Sequence, residues 1–270
     1  MDYLRQNARL AGLLIALPIG TLGGLIGLGG AEFRLPVLVG VWGYSARHAV
    51  TINLAISLIT VIAALAIRLQ TLPVRELEPL LLPIVALTCG AVSAAFAGTA
   101  LVGRLPEQRL QQIIVAFLTA IGLALIAEGF LPGEPNGLLP AHDGLRLVAG
   151  IGFGLLIGLV SSMLGVAGGE LIIPTLLFAY GADIRAAGTA SLLISLPTVS
   201  VGLIRYAGRG AFQQRSDLTD TIAPMGVGSV TGALIGGLLA GIVPTALLKI
   251  GLGIILIASA LNMFRHQRKS

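Results

Sequence analysis

Two arginines stand where a cation is poorly placed. Arg47 and Arg185 each fall in the first turn of a long apolar stretch, two residues after a capping residue, Ser45 and Asp183. A helix N-terminus already carries partial positive charge, so an arginine there asks for an anion. A helix N-terminus with a guanidinium would hold an oxyanion well. The alternatives are local: Asp183 can pair with Arg185, and Arg47 can reach a lipid headgroup. Behind each arginine lie a threonine, Thr51 or Thr189, and a polar stripe. Asn53, Ser57 and Thr60 are spaced i, i+4, i+7 on one helix face, and Ser191, Ser195 and Thr198 repeat the spacing. Such a face can line a substrate path, or it can hydrogen-bond a neighbouring helix.

Ahead of each arginine is a glycine break, at Gly29 and Gly30 and at Gly168 and Gly169, with a glutamate beside it, Glu32 or Glu170. A carboxylate at the start of a short helix complements its dipole and can cap free N–H groups. It can also carry a proton and couple transport to a gradient. A dianion held between Arg47 and Arg185 would gain charge-assisted hydrogen bonds, so that losing either arginine weakens binding about tenfold.

These features belong to one internal repeat. Gly27–Val61 lies on Gly165–Val199 at a shift of 138 positions without a gap. Ala11, Gly12, Leu17, Ile19 and Gly20 fall on Ala149, Gly150, Leu155, Ile157 and Gly158 at the same shift. The first apolar run therefore reads as a retained segment, not a removable signal peptide.

Composition names the solvent. The 270 residues are 56% hydrophobic and 11% charged, against about 25% charged in soluble domains. The bilayer is the partner, with room for eight to ten segments of roughly 20 residues. Arginines flank the apolar runs, so the net charge of +5 reads as loop charge and not as a nucleic-acid surface. The single Cys89 and the scattered His48, His142 and His266 give no metal spacing. No metalloprotease, P-loop or nucleophile-elbow motif occurs, so neither catalysis nor a cofactor is expected.

The predicted segments are Leu10–Leu28, Glu32–Val41, Ala46–Leu69, Pro79–Gly103 and Leu110–Phe130, then Leu145–Leu164, Leu171–Ala179, Ile184–Tyr206, Leu218–Gly241 and Thr245–Phe264. Repeat 1 covers residues 8–130 and repeat 2 residues 146–266 of a single transmembrane domain, 1–270, hinged at Leu131–Gly144. Glu32–Val41 and Leu171–Ala179 are too short to cross about 30 Å of hydrocarbon, so each half contains a broken helix or helical hairpin. Five segments per half is an odd number, which makes the halves inverted repeats. An inside N-terminus places most arginines in the cytoplasm, together with the C-terminus; Arg68 and Arg75 fall outside and fit poorly.

The repeated pattern resembles the TauE/SafE family of sulfite exporters and toluene sulfonate uptake permeases. It consists of a glycine break, GE or AE, a proline four residues on, a small-residue turn and x-R-x-A-x-x-T. It falls on Gly29, Gly30, Glu32, Pro36 and Arg47, and on Gly168, Gly169, Glu170, Pro174 and Arg185. The first copy departs in having Ala31 before the glutamate and Arg34 where the second has Ile172. The resemblance implies an all-α, multi-pass transporter of the cell inner membrane for a small sulfur-containing anion. Export by alternating access is the expected mode. An anion channel is the alternative, with an intramembrane enzyme or a scaffold behind it. Assembly into a homo-oligomer is left open.

Overall fold

A computed structural model describes residues 8–101, 107–130, 137–164, 167–207 and 217–267. The first half comprises α1 (Ala8–Ile26), α2 (Ala31–Gly40), α3 (Ala46–Thr71), a 3-10 turn (Val74–Leu80), α4 (Leu81–Leu101) and α5 (Glu107–Phe130). The second half comprises α6 (Asp143–Leu164), α7 (Gly169–Pro174) continued by a π-turn (Thr175–Ala179), and α8 (Ile184–Ala207). A further π-turn (Leu218–Ile222) leads into α9 (Ala223–Ala240), and α10 (Thr245–Gln267) follows. Among the described residues there is no strand, and six helices are long and apolar enough to cross a membrane. The chain is a polytopic helical bundle.

The contacts between halves give its symmetry. Near its C-terminal end, α3 meets the N-terminal turn of α8, where Arg68 bonds to Thr189 and to the Arg185 carbonyl. Further back, Leu54 of α3 lies beside Gly202 of α8. The two equivalent helices are therefore antiparallel. Parallel seams join α1 to α9 and α4 to α6, each pairing the first helix of one half with the fourth of the other. Exchange of the halves maps these contacts onto one another, and the antiparallel pair places the pseudo-twofold axis across the helices. These are inverted repeats.

The seams run on glycine. Gly20 and Gly24 of α1 face the backbone of Ser229 and Ala233, while Gly228, Gly232 and Gly236 of α9 face the carbonyls of Leu13, Leu17 and Thr21. In hydrocarbon no hydrophobic effect drives helices together, so close backbone approach through small residues spaced by four supplies the contact. Gly90, Gly154 and Gly158 repeat the device between α4 and α6.

Each glycine break ends in a left-handed residue. Gly30 (φ 72°) precedes α2 and Gly168 (φ 79°) precedes α7, and after the short helices Gly43 (φ 72°) and Gly181 (φ 70°) turn the chain again. The α2 helix spans about 15 Å, half of the hydrocarbon core, and returns alongside α1. Gly30 lies against Ile19, and Trp42 beyond α2 lies against Gly12.

Several boundaries differ from the sequence reading. Gly169 is the first residue of α7, not part of the break, because Gly168 alone supplies the positive φ. Ser45 occupies the N-cap of α3 without a side-chain cap bond, whereas Asp183 accepts the Arg185 N–H at 2.7 Å. The helix α6 starts at Asp143, inside the expected hinge, since an acidic residue suits a first turn. Expectations for the hinge at 131–136, for Arg104, for Gly165 and for the Arg209 and Arg215 loop fall outside the described residues.

Candidate functional site

The two breaks meet near the middle of the long helices. Gly29 packs against Val61 of α3, and Ser195 of α8 donates to the Ala167 carbonyl at 3.0 Å. A Cβ built on Gly29 would lie 3.6 Å from that of Ala167, and one on Gly169 would lie 3.1 Å from Leu28 Cα. Residues Gly27–Gly30 and Ala167–Gly169 are all buried. Irregular backbone is tolerated at such depth because protein, not lipid, surrounds it.

The polar stripe of the first half has an occupant. Arg34 is fully buried, and its Nε donates to Asn53 Oδ1 at 3.2 Å. Its Nη1 donates to Thr60 Oγ1 and Ser229 Oγ, and its Nη2 to Ser57 Oγ and the Gly29 carbonyl. Asn53 also donates to the Ala31 carbonyl at 2.9 Å, tying the stripe to the start of α2. All of these acceptors are neutral, and among the described residues no carboxylate lies within ion-pair distance of Arg34.

The second half is different. Ile172 stands in the place of Arg34 and is buried. Ser195 bonds to Ala167 and Thr198 folds back on the Ile194 carbonyl. Ser191 is fully buried, and its hydroxyl has no hydrogen-bond partner among the described residues.

Neither carboxylate oxygen of Glu32 has a hydrogen-bond partner among the described residues. Glu170 is buried in the first turn of α7.

Arg68 is buried as well. It donates to the carbonyls of Gly24 and Leu25 at the end of α1, to the Arg185 carbonyl and to Thr189 Oγ1. It is no outer-loop charge, which explains its poor fit to the loop-charge rule. Thr189 is thus bound to Arg68 and to its own Arg185 carbonyl. The Arg185 side chain donates from Nη2 to the Val243 carbonyl at 2.9 Å, while its Nε has no partner among the described residues. Arg68, Glu76, Arg185 and Thr189 line a small cleft at this end.

The opposite end of α3 carries Arg47, whose side chain lies outside the described residues, and Thr51, which is buried. There His48 Nε2 meets Asp217 at 2.7 Å, and the Tyr44 hydroxyl bonds to Asp217 and Thr221. Burial pushes the Tyr44 hydroxyl pKa up. At about 1.5 Å per residue, α3 holds Arg47 about 30 Å from Arg68, and hence far from Arg185. One dianion cannot touch both arginines. Inversion is the reason: it carries equivalent residues to opposite membrane faces.

Sequence reasoning noted Arg34 only as a departure from the second copy and did not expect it to occupy the polar stripe, although it lies on a short helix just after a glycine break. The dipole argument applied to Arg47 and Arg185 would have singled it out.

No curated protein and no solved structure matches the chain. The family model described as "Sulfite exporter TauE/SafE" matches residues 2–125 and 140–270, in two segments that follow the two halves. Together with the duplicated breaks and the apolar helices, this match makes the chain a multi-pass membrane protein of the sulfite exporter TauE/SafE family.

Proposed function

We propose that the protein is a secondary transporter of a small sulfur-containing anion, sulfite or an organosulfonate, working by alternating access. One observation carries the reading: two inverted halves bring their glycine breaks together at mid-depth, where α3 and α8 cross antiparallel. Substrate sites of inverted-repeat transporters lie at such crossings, where interrupted helices offer backbone groups to the ligand. The family match supports the substrate class and export. An inner-membrane location with both termini in the cytoplasm fits the arginine distribution. Glu32 and Glu170 remain the candidates for coupling or dipole balance.

Reconstituted protein tests this with radiolabelled sulfite, organosulfonates and carboxylates. Trans-side unlabelled anion is expected to drive counterflow of at least one sulfur anion. Downhill flux without counterflow would identify a channel, and no flux of any sulfur anion would refute the reading.

On this reading Arg47 and Arg185 act separately, one at each mouth. Arg47→Gln is expected to raise the half-saturating concentration about tenfold from one membrane face and Arg185→Gln from the other, since one charge-assisted bond is worth roughly 1.5–3 kcal/mol. Lysine should restore part of each, keeping charge without the planar fork. Sided assays on oriented vesicles check this. Equal effects of both variants from the same face would contradict it.

A further inference from the structure

We propose that Arg34 is the group that neutralises the transported anion, and that each chain holds one such anion at the crossing of the two breaks. The ligand class is a small oxyanion bearing an –SO3 group. The proposal rests on the transport reading and names the charge at its centre.

Three observations point there. First, Arg34 is badly placed for a cation unless an anion comes. It lies three residues after the start of α2, near a positive helix end, and all five of its acceptors are neutral. Glu32, two residues earlier on α2, attracts it electrostatically but is not within ion-pair distance, and a buried charge compensated only in this way is costly. Arg68, the other fully enclosed guanidinium among the described residues, is balanced differently. It faces carbonyls at the C-terminal end of α1, where the helix dipole is negative.

Second, the acceptors can be exchanged. Four of the five bonds go to side chains; the Ser57 hydroxyl can rotate from accepting to donating, while Thr60 keeps its proton on the Ile56 carbonyl. An oxyanion arriving at the guanidinium fork would take over N–H donors, receive a hydrogen bond from the Ser57 hydroxyl and displace Ser229 from Nη1. The bond to Ser229 crosses from the first half to α9 of the second, so rocking of the halves would break it.

Third, a free donor stands on the other side of the crossing. The Ser191 hydroxyl is fully buried and unpartnered among the described residues. A Cβ at Gly169 would lie 3.2 Å from it, so it faces the start of α7. With Ile172 in place of a second arginine, the pair of stripes offers one guanidinium and one open hydroxyl site. The two halves therefore make one anion site between them.

The experiment measures binding of sodium sulfite and, separately, sodium methanesulfonate to the purified full chain by calorimetry. The variants are Arg34→Met, Arg34→Lys and Ser229→Ala. Wild type should bind sulfite; binding of methanesulfonate as well would mean that the –SO3 headgroup is read, and sulfite alone that the inorganic ion is. Arg34→Met should lose at least tenfold in affinity and Arg34→Lys should recover part. Ser229→Ala should bind several-fold more tightly, because the anion no longer competes with that hydroxyl for Nη1. A purely structural arginine would instead leave affinity unchanged in Ser229→Ala while lowering stability. If Arg34→Met does not fold, Ser229→Ala decides, and unchanged or weaker binding overturns the proposal. Wild type binding neither probe also overturns it. Wild-type counterflow with unaltered affinity in the variants would sink Arg34 and leave transport standing. Absent flux of every sulfur anion would sink transport itself.

Discussion

Gly27→Val is expected to yield no folded protein. Gly27 has φ +97°, a conformation that a β-branched residue adopts only under strain. Its Cα faces the Gly188 backbone, so an added Cβ would run into that carbonyl. Backbone cannot swing aside as a side chain can. Gly188 is held in return, since a Cβ there would strike the Ile26 carbonyl and crowd Arg68 Nη2. Strain of about 1–2 kcal/mol and overpacking of about 1–3 kcal/mol consume much of a marginal folding stability. Gly40→Ala is the control, because a Cβ at Gly40 meets nothing within 4 Å. Size-exclusion profiles of detergent extracts should show aggregate or no protein for Gly27→Val and a wild-type peak for Gly40→Ala. A monodisperse Gly27→Val peak at wild-type yield would contradict the close contact of the α1 end with α8.

Arg68→Gln should destabilise the protein more than any single loss from the surface. It frees the carbonyls of Gly24 and Leu25 in a buried place, and leaves the Arg185 carbonyl and the Thr189 hydroxyl only the bond they make to each other. The last carbonyls of a helix have no partner within it, so α1 depends on this side chain for its end. Each orphaned acceptor costs about 1–3 kcal/mol, and glutamine can satisfy only part of the set. Arg68→Lys retains the charge but not the fork, and should fall between. Thermal unfolding in detergent should rank wild type above lysine and lysine above glutamine. Equal midpoints for wild type and Arg68→Gln would mean that these carbonyls find other partners.

The frame of the molecule was legible because it is written twice. Gly30 and Gly168, and Gly43 and Gly181, are the same turns 138 positions apart, and the short helices between them are where the apolar runs are too short to span. Partners were less legible. Arg68 lies one residue before the expected end of its helix, where a charge reads as belonging to the loop; its acceptors are backbone carbonyls, which every sequence has and none advertises. The stripe of Asn53, Ser57 and Thr60 was visible as a face, but its occupant comes from another helix. Arg34 looked like a lapse in symmetry between the copies. The separation of Arg47 from Arg185 follows from inversion itself, since a repeat turned over carries equivalent residues to opposite sides.

The seam between α1 and α9 also sets a timetable. These two helices pack backbone to backbone, yet about two hundred residues of chain are made between them. At synthesis rates of about 5–20 residues per second, α1 waits on the order of 10–40 s before its glycine-lined face has a partner. The α4–α6 seam closes several times sooner. The amino-terminal half therefore enters the bilayer unfinished, its glycine face packed only against lipid, and the last helices to emerge complete the first.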